Sequence, residues 1–183
     1  MEWLKRCCAG GLAPAFMSNE TLQELLYGKG AHVDPIVCLE DLPAPLAGRK
    51  LDGYPHSIWQ IVGHMNQWMD YELKRIAEEP QPYPEHAIES WPASHGPANE
   101  AAWQEALARF KGLLGKLSQL SESGTDALQR NLAGTHDLSN ARSSTVQAIL
   151  WQLVAHNSYH VGQIALLRRA FGSWPPRRGS DTW

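Results

Sequence analysis

Between Thr145 and Leu167 the chain carries no Asp, Glu, Lys or Arg. A stretch that long without a charge is covered by lipid or by other protein, and in either host the backbone must satisfy its own polar groups, which a helix does. Gln147, Gln152, His156, Asn157, His160 and Gln163 lie inside it, and so many polar side chains are too costly for lipid. The remaining solution is a helix walled in by other helices of a domain that stands in water. Phase along that helix sharpens the point. With Ile149 at zero and ~100° per residue, Leu153, His156, His160, Gln163, Ile164 and Leu167 all fall within about 60° of it. Two imidazoles therefore lie on the core-facing side, one turn apart.

The rest of the chain supplies partners for such a helix. No strand-like alternation is sustained and no internal repeat is present, so the fold class is all-α, with helices separated by Pro/Gly-rich connections. A short helix over 19–27 carries Leu22, Leu25 and Leu26 and stops at Gly28-Lys29-Gly30. Asp34-Pro35 reads as an N-cap with Pro at the first helical position, opening a helix through Ile36, Val37 and Leu39 that fades at Pro43 and Pro45. Ser57-Ile58-Trp59-Gln60 is a capping-box pattern that opens a long helix. Its stripe is Ile58, Val62, Met65, Met69, Leu73 and Ile76, and His64 sits at about 240°, on the border of that stripe. Residues 80–98, with five prolines, form a long irregular connection of the kind that more often covers a site than idles. Asn99 caps the next helix, whose stripe is Trp103, Leu107, Phe110, Leu114 and Leu117, with Glu105 and Arg109 as an exposed pair. A polar segment follows to about 142. Ser144-Thr145-Val146-Gln147 is a second capping box, and the last helix closes at Gly172 ahead of Pro175-Pro176.

The chemistry is concentrated in the histidines. A lone His on an apolar face is usually a core residue satisfied by one hydrogen bond. Two stacked imidazoles in an otherwise apolar stripe need more than that, and a divalent cation satisfies both nitrogens at once. A third imidazole would complete a site with open coordination positions, the type that does chemistry rather than holding a fold together. The candidates are His32, His56, His64, His86, His95 and His136. His86, His95 and His136 fall in polar connections and are expected to be exposed, and His56 stands at a helix start. His64 lies inside an amphipathic helix; His32, just ahead of the Asp34-Pro35 helix, is the weaker alternative. Gln60 and Gln163 each lie one turn from a histidine and could orient an imidazole or a substrate.

Two blocks carry a family resemblance. Tyr54-Pro55-His56-Ser57-Ile58-Trp59-Gln60-Ile61-Val62-Gly63-His64 resembles the second-helix signature of the DinB-like (DNA-damage-inducible) metal-binding proteins. His156-Asn157-Ser158-Tyr159-His160-Val161-Gly162-Gln163-Ile164, with Leu166-Leu167-Arg168-Arg169 and Gly172-Ser173-Trp174-Pro175-Pro176 after it, resembles their last helix. The resemblance spans roughly 19–176 and implies an up-and-down four-helix bundle with one long crossover. It implies a divalent metal on His64, His156 and His160, a homodimer formed through helix faces, and a setting in stress response; the imidazole donors suit Zn, Ni or Fe and do not choose among them. Activities among such proteins include metal-dependent transfer of low-molecular-weight thiols and thiol-dependent isomerisation. The chain departs from the simplest members in its N-terminal extension, its long 80–98 connection and the Gly28-Lys29-Gly30-Ala31-His32 break.

Composition narrows the partners. With 19 acidic and 16 basic residues, well mixed, the net charge of −3 offers no basic face for nucleic acid. Three cysteines without CxxC spacing suit a reducing compartment, and Gly10, Gly11 and Pro14 break the start before any signal-like apolar run, so a cytoplasmic location is expected. Residues 1–17 read as a poorly ordered extension, with Met17 a second candidate start, 18–176 as the helical domain and 177–183 as a tail. The functional expectation is a metal-dependent enzyme that activates water or a small thiol toward a small electrophile, as a thiol S-transferase or hydrolase. The absence of an HExxH-type Glu favours thiol transfer over peptide hydrolysis. The alternative is a non-catalytic metal-binding dimerisation module, in which Gly162 and the side bearing Trp151 and Leu166 pack against a partner helix.

Overall fold

A computed structural model describes residues 19–79, 82–132 and 144–178. The whole of the expected N-terminal extension (1–17, with Cys7 and Cys8), His136 and the end of the tail lie outside the described residues. The described residues are mostly helical: α1 (Asn19–Leu26), α2 (Pro35–Cys38), α3 (Ala44–Ala47), α4 (Ile58–Ile76), α5 (Glu100–Ser121), α6 (Thr125–Leu128) and α7 (Val146–Ala170). A 3-10 turn at Ala87–Ser90 interrupts the long connection after α4. The two-residue strands β1 (Asn131–Leu132) and β2 (Ser144–Thr145) pair antiparallel ahead of α7. Helix α4 packs on α5 and α7, and α1 lies across α5 and α7.

Apolar periodicity accounts for this packing. Ile58, Val62, Met65 and Met69 of α4, Trp103, Phe110, Leu114 and Leu117 of α5, and Ile149, Leu150, Leu153 and Ile164 of α7 are all buried in one core. Each such side chain contributes about 1.5–3 kcal/mol by leaving water. The indole N–H of Trp103 satisfies itself on the Leu42 carbonyl at 2.5 Å, which ties the short-helix segment to α5.

Several local expectations change. The helix beginning at Pro35 is one turn long, not a run to Pro43. Asp34 caps it by accepting from the N–H groups of Ile36 and Val37, but Asp41 takes φ +57, which no α-helix passes through. Helix α7 is capped by Thr145, which accepts from the Ala148 N–H. Ser144 pairs with Leu132 in the strand, and Gln147 accepts from Gln129 at 2.6 Å, so the Ser144-to-Gln147 capping box does not form. Arg109 reaches across to Asp70 of α4 at 3.3 Å in place of the intrahelical pair with Glu105.

The far end of α7 is closed firmly. Gly172 adopts φ +70, and the N–H groups of Gly172 and Ser173 return to the carbonyls of Arg169 and Arg168, the Schellman pattern. Arg168, in sequence one half of a basic pair, is only 2% exposed. Its guanidinium donates to the carbonyls of Cys38 (2.7 Å), Glu40 (2.9 Å) and Ser173 (2.7 and 3.0 Å). The tail's first residues follow the same corner: Arg178 pairs with Glu40, and the Arg177 N–H donates to Asp41.

Candidate metal centre

Helix α4 presents His64, and α7 presents His156 and His160 from successive turns. The packing of α4 on α7 brings one ring nitrogen from each within 4.8 Å of the others. Nε2 of His64 lies 3.1 Å from Nε2 of His156. His64 and His160 are buried, and His156 is half-buried, so the cluster opens to solvent on the His156 side. Sequence phase put His64 at the border of the core stripe; it is buried because the 87–97 connection folds over it. The indole of Trp91 stacks on His64 at 3.8 Å and 6° and meets His160 edge-on at 5.8 Å.

Hydrogen bonds set the tautomers. Nδ1 of His64 lies 3.1 Å from the Ser90 carbonyl, which can only accept, so Nδ1 carries the proton and Nε2 keeps its lone pair. Nδ1 of His160 donates in the same way to Oε1 of Gln163 at 2.7 Å. His156 has a longer contact from Nδ1 to Oδ1 of Asn157, at 3.4 Å. The Nε2 atoms of His64 and His160 are thus left as unprotonated donors with His156 beside them.

The other candidates are elsewhere. Gln60 closes the α4 capping box with Ser57 and donates Nε2 to the Pro92 carbonyl at 3.0 Å, so it fixes the covering connection rather than an imidazole of the cluster. His32 bonds the Val33 carbonyl and Ser158 Oγ, both at 2.8 Å, and anchors the α1–α2 connection to α7. Gly28 makes room for that ring: a Cβ there would stand 2.5 Å from it. His86 and His95 are exposed. His56 stacks on Trp91 at 3.6 Å and 8°. Sequence reasoning missed Ser90 and Trp91, which sit in an aperiodic, proline-rich stretch. The only signal there was the length of the connection and an aromatic residue among its prolines.

A model of the DinB superfamily matches residues 37–164. The chain belongs to the DinB superfamily. Comparison with curated proteins and with solved structures finds no match. The matched span of this DinB-superfamily protein contains α4 and α7 through Ile164, and with them all three histidines of the cluster.

The donor set of this DinB-superfamily site fits a divalent cation. Nitrogens ~2.0–2.1 Å from one ion at tetrahedral or octahedral angles lie about 2.9–3.4 Å apart, which brackets the 3.1 Å between His64 and His156, and the whole set lies within 4.8 Å. Burial holds His64 and His160 down to about 4 and lowers His156 too, so at neutral pH the imidazoles are uncharged, the form that ligates. The groups that set their protonation are burial, hydrogen bonds and neighbouring imidazoles; among the described residues no carboxylate contributes. A dication there would keep its full charge and favour an anionic ligand from solution. Among the described residues no helix is long and apolar enough to cross a membrane.

Proposed function

We propose that this protein binds one divalent metal ion, Zn, Ni or Fe, through Nε2 of His64, His156 and His160, and acts as a metal-dependent enzyme on a small thiol and a small electrophile. The observation that carries the reading is the convergence of inward-facing imidazole nitrogens, two with their outer nitrogens committed to oxygen acceptors, with no carboxylate beside them among the described residues. When bound, such an ion supplies Lewis acidity and stabilises the deprotonated form of water or a thiol. The chain contributes the rest. Ser90 and Gln163 hold two rings in the ligating tautomer. Trp91 excludes water from one side, and the His156 side stays open for a reactant. Because among the described residues no Glu or Asp stands beside the cluster as a general base, a reactant with its own acidic proton suits the site, which favours a thiol over water as nucleophile. A reducing, cytoplasmic setting agrees with a buried, unpaired Cys38.

The non-catalytic alternative rests on a different observation. Ala155, Tyr159, Gly162 and Leu166 form an exposed, uncharged face of α7, with Tyr159 66% and Leu166 51% exposed. We propose that a second copy of the chain covers this face, in a two-fold contact where like meets like. Trp151, half-buried against the core, belongs to the fold more than to that face.

The test is elemental analysis of purified protein followed by turnover. Metal-loaded protein is expected to join a low-molecular-weight thiol to an alkylating electrophile faster than the metal-stripped protein, which should stay folded. If stripping melts the fold and no exogenous thiol alters the spectrum of Co(II)-loaded protein, the module reading holds instead.

A further inference from the structure

The covering connection is fixed to α4 more tightly than its irregular path suggests. Ser57 Oγ donates to the His95 carbonyl at 2.5 Å, the Trp59 indole N–H to Ser94 at 3.2 Å, and Gln60 to the Pro92 carbonyl at 3.0 Å. Gly63 lets the proline in: a Cβ at that position would lie 2.3 Å from Pro92 Cγ. Between these anchors the chain delivers Trp91. Both His56 and His64 lie parallel to its indole, at 3.6 and 3.8 Å between centroids. Two rings that close cannot share one face without overlapping, so the indole is held between them. Nδ1 of His56 is buried with no hydrogen-bond partner among the described residues, so no bond at that nitrogen explains where its ring lies; the stack does.

We infer that Trp91 is a positioning residue for His64, with His56 as its backing. The inference rests on the metal-site reading above and deepens it. A hydrogen bond from Nδ1 to Ser90 limits rotation about Cβ–Cγ but tolerates a broad range of ring tilts. Stacking fixes the plane of the ring, and the two together aim the Nε2 lone pair at His156 and His160. Partners of this kind around a ligand typically change metal affinity by about 10–100-fold when removed. Trp91 reaches the site through the face it stacks on His64, with an edge contact to His160 beside it, and His56 reaches it through Trp91.

That order of action gives the test: Zn affinity by competition with a chromophoric chelator, on stripped full-length protein, with Co(II) absorption and metal-free melting recorded alongside. W91A is expected to bind Zn at least ~10-fold more weakly and to alter the Co(II) spectrum. W91F, which keeps an aromatic face, should stay within about 3-fold of wild type. H56A should weaken binding by less than W91A and add no loss in the W91A background. W91L replaces W91A in the comparison if alanine leaves the stripped protein unfolded. Equal affinity in wild type and the non-aromatic variant overturns the inference, as do W91A and H56A losses that multiply. Wild-type protein that takes up no metal sinks the site reading and the inference together, whereas wild type that binds while Trp91 variants bind equally well sinks the inference alone.

Discussion

Acidifying the metal-free protein from pH 7 to pH 5 tests the burial of the histidine cluster. His64 and His160 are held at about 4 by burial, below the ordinary 6.5. Their exposures are 7% and 4%, so solvent screens little of that shift. Below pH 6.5 the unfolded chain binds protons on these rings that the folded chain refuses, so stability present above 6.5 is lost as pH falls toward 4. At pH 5 the loss relative to pH 7 is about 2 kcal/mol for each ring, or about 4 kcal/mol for both. That is a large share of the 5–15 kcal/mol typical of a domain. His156 is lowered in the same direction and adds to it. Glu72, whose carboxyl is raised by burial, works the other way, so the comparison needs a matched control. Urea unfolding of stripped wild type and of the H64N/H160N double variant, each at pH 7 and pH 5, supplies that control. The double variant should lose about 4 kcal/mol less than wild type over this interval. Equal losses, within about 0.5 kcal/mol, would refute the claim that the fold forces these rings to stay neutral.

Other expectations follow from single contacts. Arg168→Met leaves the carbonyls of Cys38, Glu40 and Ser173 without their donor and should cost roughly 3–5 kcal/mol in urea unfolding; a cost under about 1 kcal/mol means the guanidinium is not holding that corner. His160→Gln should abolish stoichiometric Zn retention in equilibrium dialysis, and full retention would place the ion elsewhere. Gly63→Ala drives a methyl into Pro92 and should lower stability by about 1–3 kcal/mol while weakening Zn binding; an unchanged melt shows that the connection gives way without cost. Leu166→Glu puts a charge on the exposed face of α7 and should shift sedimentation to a monomer if two copies meet there, with no shift expected if they do not.

The parts of this molecule legible in sequence were those governed by a period. Ile58 to Ile76 repeats its apolar residues at helical spacing, and the burial of Val62, Met65 and Met69 follows from that spacing alone. The phase of α7 put His156 and His160 on one side for the same reason. What had no period was misjudged or unseen. Arg168 carries a charge that any pattern assigns to the surface, and only a converging set of backbone carbonyls makes its burial tolerable. The depth of His64 depends on Trp91 arriving from a loop, a long-range event that no local rule encodes. The early stop of α2 turns on Asp41 at φ +57, a conformation rare enough outside glycine that the preceding helical signal outweighed it.

The clip made by Arg168 reaches further than the corner it fastens. Residues 160 and 168 are separated by about 12 Å of helix rise, and a helix packed on its neighbours over its whole length moves as a rod. Sliding α7 by one residue would raise the imidazoles ~1.5 Å and turn them ~100° away from His64. The guanidinium, by fixing one end of the rod to Cys38 and Glu40, acts as the axial stop that sets the height at which the two histidines face α4.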